Sequence, residues 1–132
     1  MAGKNQSYIE LEYLEVYKIA RKLSSIAWKI YETLDWSKRK IMGDQFVEST
    51  DSVGANIAEG YGRYHYLDKI KFYYNSRASF LECKKHWLSL LHERKCTDEK
   101  LIDEYESESK DFLLKLNNFI SATYKAKYGK KS

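Results

Sequence analysis

Two pairs of residues in this chain stand at spacings that could support catalysis. In His92-Glu93-Arg94-Lys95-Cys96 the imidazole and the thiol are four residues apart. On a helix both would lie on one face, as in the H-E-x-x-H zinc motif with cysteine as second ligand. The segment offers no third ligand and sits at an expected helix end beside a capping threonine, so no metal and no cofactor are expected. Glu59 and Glu82 are the other pair, a conceivable acid and base. No nucleophile, phosphate loop or histidine in register accompanies them, and His65 and His86 read as loop and surface residues, so no catalytic residue is assigned. Asn56, Glu59, Ser79 and Glu82, with Arg63, are polar side chains set among apolar ones. They are expected to form a buried or interfacial hydrogen-bond network that fixes helix register, because a hidden polar group left unpaired costs about 1–3 kcal/mol.

The cations are the remaining functional candidates. The chain has a formal net charge of +4, but residues 61–96 alone hold eight basic against three acidic side chains. Lys38, Arg39 and Lys40 fall in an expected loop, and Arg63 follows a pair of glycines. Lys69, Lys71, Arg77, Lys84, Lys85, Arg94 and Lys95 decorate one helix. Tyr61, Tyr64 and Tyr66 interleave with Arg63 and His65, a combination able to stack on unpaired bases while cations meet phosphate. The competing reading is an ordinary solvated face with tyrosines plugging loop gaps.

The elements that hold these residues read as helices. No proline occurs, and the six glycines lie near the termini or within 43–62, so little interrupts the rest. With 43% hydrophobic and 32% charged residues in 132, the composition is that of one globular domain. Val16, Ile19, Leu23, Ile26 and Ile30 recur at helical period, giving a first helix over about 9–34. The segment 35–42 breaks the pattern. A second helix is expected over about 44–60, with Gly43 as N-cap and Gly60 and Gly62 as its stop in the left-handed conformation. Its small face, Ser49, Ser52, Gly54, Ala55 and Ala58, would admit a neighbouring backbone closely.

A third helix over about 66–94 carries two apolar stripes. Leu67, Ile70, Tyr74, Ala78, Leu81, Leu88 and Leu91 form one, assigned to the core. Tyr73, Phe80, Trp87 and Leu90, with Cys83, form the other, assigned to a subunit interface against the alternative of a broadly buried helix. Thr97 caps a fourth helix over about 98–126, with a basic tail over 125–132. Four helices with short connections make an all-α, antiparallel up-down-up-down bundle the economical fold for residues 1–132. No signal-peptide run and no stretch near the ~20 apolar residues of a membrane span is present, so a cytoplasmic location with Cys83 and Cys96 reduced is expected.

The run Ser52-Val53-Gly54-Ala55-Asn56-Ile57-Ala58-Glu59-Gly60-Tyr61-Gly62-Arg63 resembles the S-I-x-x-N-I-A-E-G-x-G-R motif of bacterial 23S rRNA intervening-sequence proteins and the related accessory variability determinants of diversity-generating retroelements. Ala78-Ser79-Phe80-Leu81-Glu82 is similar to that family's G-S-x-x-E motif, and Asp44-Gln45 to the D-Q that often opens its second helix. The likeness covers about residues 12–124. Val47 and Glu48 stand where members often carry a basic pair, and His65 where a small residue is usual. The resemblance implies a homopentamer of antiparallel four-helix bundles with a basic surface, associating in the retroelement members with a reverse transcriptase and with nucleic acid. The expectation is a non-enzymatic protein that binds RNA or DNA and a protein partner; the alternative is a structural or adaptor oligomer without nucleic-acid affinity.

Overall fold

A computed structural model describes residues 8–129 and, among them, contains four long helices, a single 3-10 turn at Leu11–Tyr13 and no strand. Helix α1 is Glu15–Thr33. Helix α2 spans 36–61 and is built from Trp36–Lys38, a π-helical turn Arg39–Gly43, and Asp44–Tyr61. Helix α3 spans 66–93, again with a π-helical insert: Tyr66–Leu81, Glu82–Trp87 and Leu88–Glu93. Helix α4 comprises Glu99–Ser109 and Phe112–Gly129, parted by a turn at 110–111. Helices α1 and α3 each contact both α2 and α4, and a single apolar core runs between them through Leu23, Ile30, Phe46, Ile57, Leu91, Phe112 and Leu116.

Several boundaries and caps differ from the sequence expectation for physical reasons. Helix α1 starts at Glu15, not near residue 9, because the preceding segment is held by tertiary contacts. Tyr8 stacks on Tyr61, the Tyr61 hydroxyl donates to the Ile9 carbonyl, and Leu14 is extended at φ −69° and ψ 128°. Helix α2 begins at Trp36 instead of Asp44. Asp35 caps it, its carboxylate accepting from the Lys38 amide at 3.0 Å, and the π turn carries the helix through to Gly43. Gly43 is therefore interior and buried rather than an N-cap, its Cα facing the Tyr31 ring and Leu34.

The other glycines also act differently. No glycine among the described residues has positive φ. Gly60 lies inside α2, and Gly62 is its C-cap in right-handed geometry at φ −80° and ψ −8°. A Cβ at Gly60 would come within 2.7 Å of the Tyr73 ring, 2.9 Å of the Lys69 carbonyl oxygen and 2.9 Å of Phe72 Cβ. Its role is close approach of α2 to α3. Thr97 is not the cap of α4; Asp98 is, accepting from the Lys100 amide at 3.0 Å, while Thr97 meets Thr33 hydroxyl to hydroxyl at 2.5 Å.

The two stripes of α3 exchange places along its length. Tyr73 and Phe80, assigned to an interface, are 1% and 3% exposed and pack at a tilt against Phe119 and Phe112 of α4, ring centroids 4.8 Å apart. Leu67, Tyr74 and Leu81, assigned to the core, are exposed. Beyond the π insert, Leu88 and Leu91 are buried while Trp87 and Leu90 are half-buried against the core. Burial steps from Cys83 to Leu88, five residues, because a π turn holds one residue more than an α turn. The inward face thus passes from one stripe to the other at the insert.

The expected polar network is not the one that forms. Asn56 donates to the Ser52 carbonyl within α2, Glu59 pairs with Arg63 at 2.7 Å, and Glu82 accepts from the Trp87 indole at 2.9 Å. Ser79 is half-buried on α3, and the four side chains share no hydrogen bond. A different buried chain ties three helices together. Thr50 donates to the Tyr105 hydroxyl (2.9 Å), which donates to Cys83 Sγ (3.1 Å), whose thiol reaches the Phe80 carbonyl (3.4 Å). Ser76 adds a bond from α3 to the Val53 carbonyl of α2 at 2.8 Å.

Candidate nucleic-acid interface

The basic residues singled out by sequence divide into three groups. Near the junction of α1 and α2 lie Lys38, Arg39 and Lys40, with Arg94 and Lys95 from the end of α3. Arg94 reaches the π turn of α2, its guanidinium 3.3 Å from Met42 Sδ. Along α3 lie Lys71, Arg77, Lys84 and Lys85. Around the α2–α3 connection are Arg63 and Lys69.

Many of these cations are already engaged. Arg39 donates to the Tyr31 and Glu32 carbonyls at 3.1 and 3.4 Å, satisfying the open carbonyl end of α1 while lying over the Tyr31 ring. Arg63 holds Glu59 and stacks on Phe72. Lys69 donates to the Tyr61 carbonyl at 2.8 Å, and burial pushes its ammonium below the ordinary lysine range. Arg77 bonds Asn117 of α4 at 2.8 Å and covers Tyr74. Lys84 reaches Glu106 at 2.9 Å, and Lys38 lies 3.5 Å from Asp35. The exposed pairs, Arg63 with Glu59 and Lys38 with Asp35, contribute only about 0–1 kcal/mol and exchange readily.

Of the candidate lysines, four that are exposed have no carboxylate partner among the described residues, Lys40, Lys71, Lys85 and Lys95; outside that set the exposed Lys18, Lys100, Lys110 and Lys125 have none either. Lys40 sits 5.0 Å over the Trp36 ring. Lys71 stands on the outward stripe with Leu67, Tyr74 and Leu81. Lys95 occupies the left-handed region at φ 52°, closing α3. Outward side chains of α2 beyond its π turn are by contrast acidic, with Asp44, Glu48, Asp51 and Glu59 exposed.

The tyrosine cluster is less open than its sequence implies. Tyr61 is half-buried, stacked on Tyr8 and bonded to Ile9. Tyr64 is 89% exposed, touching only the edge of His65, and Tyr66 is half-buried. A second aromatic group was overlooked: Trp28 stacks on Tyr31 at 5.2 Å, and Trp36 lies nearby in sequence at 74% exposed. The signal for it was present in the i, i+3 spacing of Trp28 and Tyr31 and in a tryptophan two residues before Lys38-Arg39-Lys40.

The pairs considered for catalysis or metal binding are not assembled. Glu59 and Glu82 each hold a separate partner, as above. His92 Nδ1 lies 3.5 Å from Glu99, and Cys96 is a half-buried free thiol. Among the described residues no group of three or more His, Cys, Asp and Glu could hold a metal, and no helix is long and apolar enough to cross a membrane. Cys83 is free and fully buried, its thiol pushed above the ordinary range by desolvation.

Helices around one core, with cations concentrated on α3 and on the first turns of α2, define an all-α four-helix protein whose distinguishing features lie on its surface. The chain belongs to the 23S rRNA-intervening sequence protein family, whose family model matches residues 12–118. Among curated proteins none matches it.

Proposed function

We propose that this is a non-enzymatic protein that binds RNA or DNA electrostatically and presents a docking surface to a protein partner. It acts as the product of an rRNA intervening sequence or as an accessory factor to a reverse transcriptase. In this reading it is a cytoplasmic up-down-up-down antiparallel bundle that joins copies of itself into a ring of five. The observation that carries the proposal is that four exposed lysines of the candidate set, Lys40, Lys71, Lys85 and Lys95, have no carboxylate partner among the described residues. Ammonium groups with no internal counter-charge are held only by counterions, whose release drives association with a phosphate backbone. Family membership supports a nucleic-acid-related role. The exposed Leu67, Tyr74 and Leu81 of α3 support self-association, since a row of large apolar side chains left in water is an interaction surface. Repetition around a ring axis would multiply the positive field.

A salt titration of binding to labelled duplex tests this. Four phosphate contacts give a slope near −3.6 on a log–log plot, a loss of about 150-fold between 50 and 200 mM salt. Lys→Gln at all four positions should flatten the slope. Absence of binding at 50 mM would leave an adaptor oligomer without nucleic-acid affinity as the better reading.

A further inference from the structure

The connection between α1 and α2 carries more than charge. Trp36 is 74% exposed on the first turn of α2, and its indole N–H donates to nothing among the described residues. Full burial of so large a side chain would contribute about 2–3 kcal/mol or more, and the fold leaves that unrealised. Trp28, 52% exposed, stacks at 17° on Tyr31, leaving much of its indole in water. Tyr31 in turn is immobilised from three sides: its hydroxyl donates to Asp44 at 2.8 Å, its ring lies against Gly43, and the Arg39 guanidinium stands 4.6 Å from its centroid. The ring on which Trp28 stacks is therefore held in place.

Charge decides what fits these aromatic faces. Asp35, the carboxylate next to Trp36, is taken up by the Lys38 amide and ammonium. Lys40, directly over the Trp36 ring, has no acid partner among the described residues. A ligand that offers a flat π face to an indole and an anionic oxygen about one residue's reach away matches both features. That description fits a nucleotide whose base is not paired: in a duplex the π faces are hidden by stacking.

We infer that the exposed indoles of Trp36 and Trp28 each offer a stacking platform to unpaired bases of single-stranded nucleic acid, with Lys40 meeting the phosphate that adjoins a base on Trp36. The inference rests on the nucleic-acid reading above but adds a site and a strand preference to it. Such a platform tolerates any base, since every base has a π face.

The test uses the full chain, fluorescein-labelled oligo(U) and oligo(dT), and a hairpin duplex of equal charge, followed by polarisation at fixed salt. The parent should bind the single strands more tightly than the hairpin. Trp36→Leu, at an exposed position where folding is readily checked by circular dichroism, should lose about 5- to 150-fold on single strands while leaving hairpin affinity and salt slope unchanged. Trp28→Leu gives an independent second reading of the same kind. If both variants bind single strands as the parent does, the platform is wrong and the electrostatic proposal survives. If neither probe binds at 50 mM salt, both fall. Co-sedimentation with anionic phosphatidylserine vesicles that depends on Trp36, without oligonucleotide binding, would assign the aromatics to a lipid surface and overturn the platform.

Discussion

Replacing Gly60 by alanine should destabilise this protein, although Gly→Ala within a helix ordinarily stabilises. The intrinsic gain is about 1 kcal/mol. Against it stands overpacking, about 1–3 kcal/mol for an added carbon in a filled interior. The new Cβ would lie 2.7 Å from the Tyr73 ring, 2.9 Å from the Lys69 carbonyl and 2.9 Å from Phe72 Cβ. Two of those atoms belong to the backbone of α3 or lie directly on it, so relief requires moving the helix rather than turning a side chain. The upper part of the overpacking range applies, and the net loss is about 1–2 kcal/mol. Gly54 supplies the control. A Cβ there would meet Ala20 Cβ at 3.4 Å and Tyr17 at 3.8 Å, ordinary contacts, so Gly54→Ala should gain about 0.5–1 kcal/mol. Urea unfolding at one protein concentration, followed by circular dichroism, reads the difference. With a slope of about 2 kcal/mol per M, the Gly60→Ala midpoint should fall by about 0.5–1 M and the Gly54→Ala midpoint rise by about 0.3–0.5 M. A Gly60→Ala midpoint at or above the parent's would refute the argument that α2 and α3 touch through this position.

The buried chain of Thr50, Tyr105 and Cys83 predicts that Tyr105→Phe costs about 1–3 kcal/mol by stranding the Thr50 hydroxyl; Thr50→Val together with Tyr105→Phe should cost less than the sum of the single changes in a double-mutant cycle. Burial raises the phenols of Tyr73 and Tyr105 above their ordinary value of 10.0, so the folded state keeps protons that the unfolded chain releases. That stability is fully present below about pH 10 and is lost as pH rises beyond it, and urea midpoints taken from about pH 9 to about pH 11 should fall, less steeply in Tyr73→Phe. Cys83, buried with its thiol pushed up, should resist iodoacetamide in the native state while the half-buried Cys96 reacts; mass spectrometry showing both alkylated without denaturant would contradict the burial.

Helical period was enough to read the all-α class and the inward residues of α1, where Val16, Leu23, Ile26 and Ile30 are all buried. It could not find the π inserts, because hydrophobic spacing extrapolated at 3.6 residues per turn carries no mark of a single extra residue. That is why Tyr73 and Phe80 were placed on an outer surface. Over 35–42 the helical hydrophobic pattern lapses, yet Asp35 capping and the anchoring of Arg39 onto the end of α1 make the segment helical. Gly60 and Gly62 were read by the conformation glycine permits, when Gly60 serves through its missing side chain. For the surface, sequence located the cations but not which of them are spoken for. Arg39, Lys69 and Lys84 are consumed by groups eight or more residues away, and Trp36 stands out only once its neighbours are seen to leave it uncovered.

The insert at Glu82–Trp87 has a consequence for whatever docks along α3. Before it, the helix turns hydrocarbon outward through Leu67, Tyr74 and Leu81; within and beyond it, the outward side chains are ionic or imidazole, Lys85, His86, His92 and Glu93. One added peptide unit thus sets the stretch of this rod where large hydrocarbon side chains meet water, with Lys71 among them, apart from the stretch where water meets charge and imidazole.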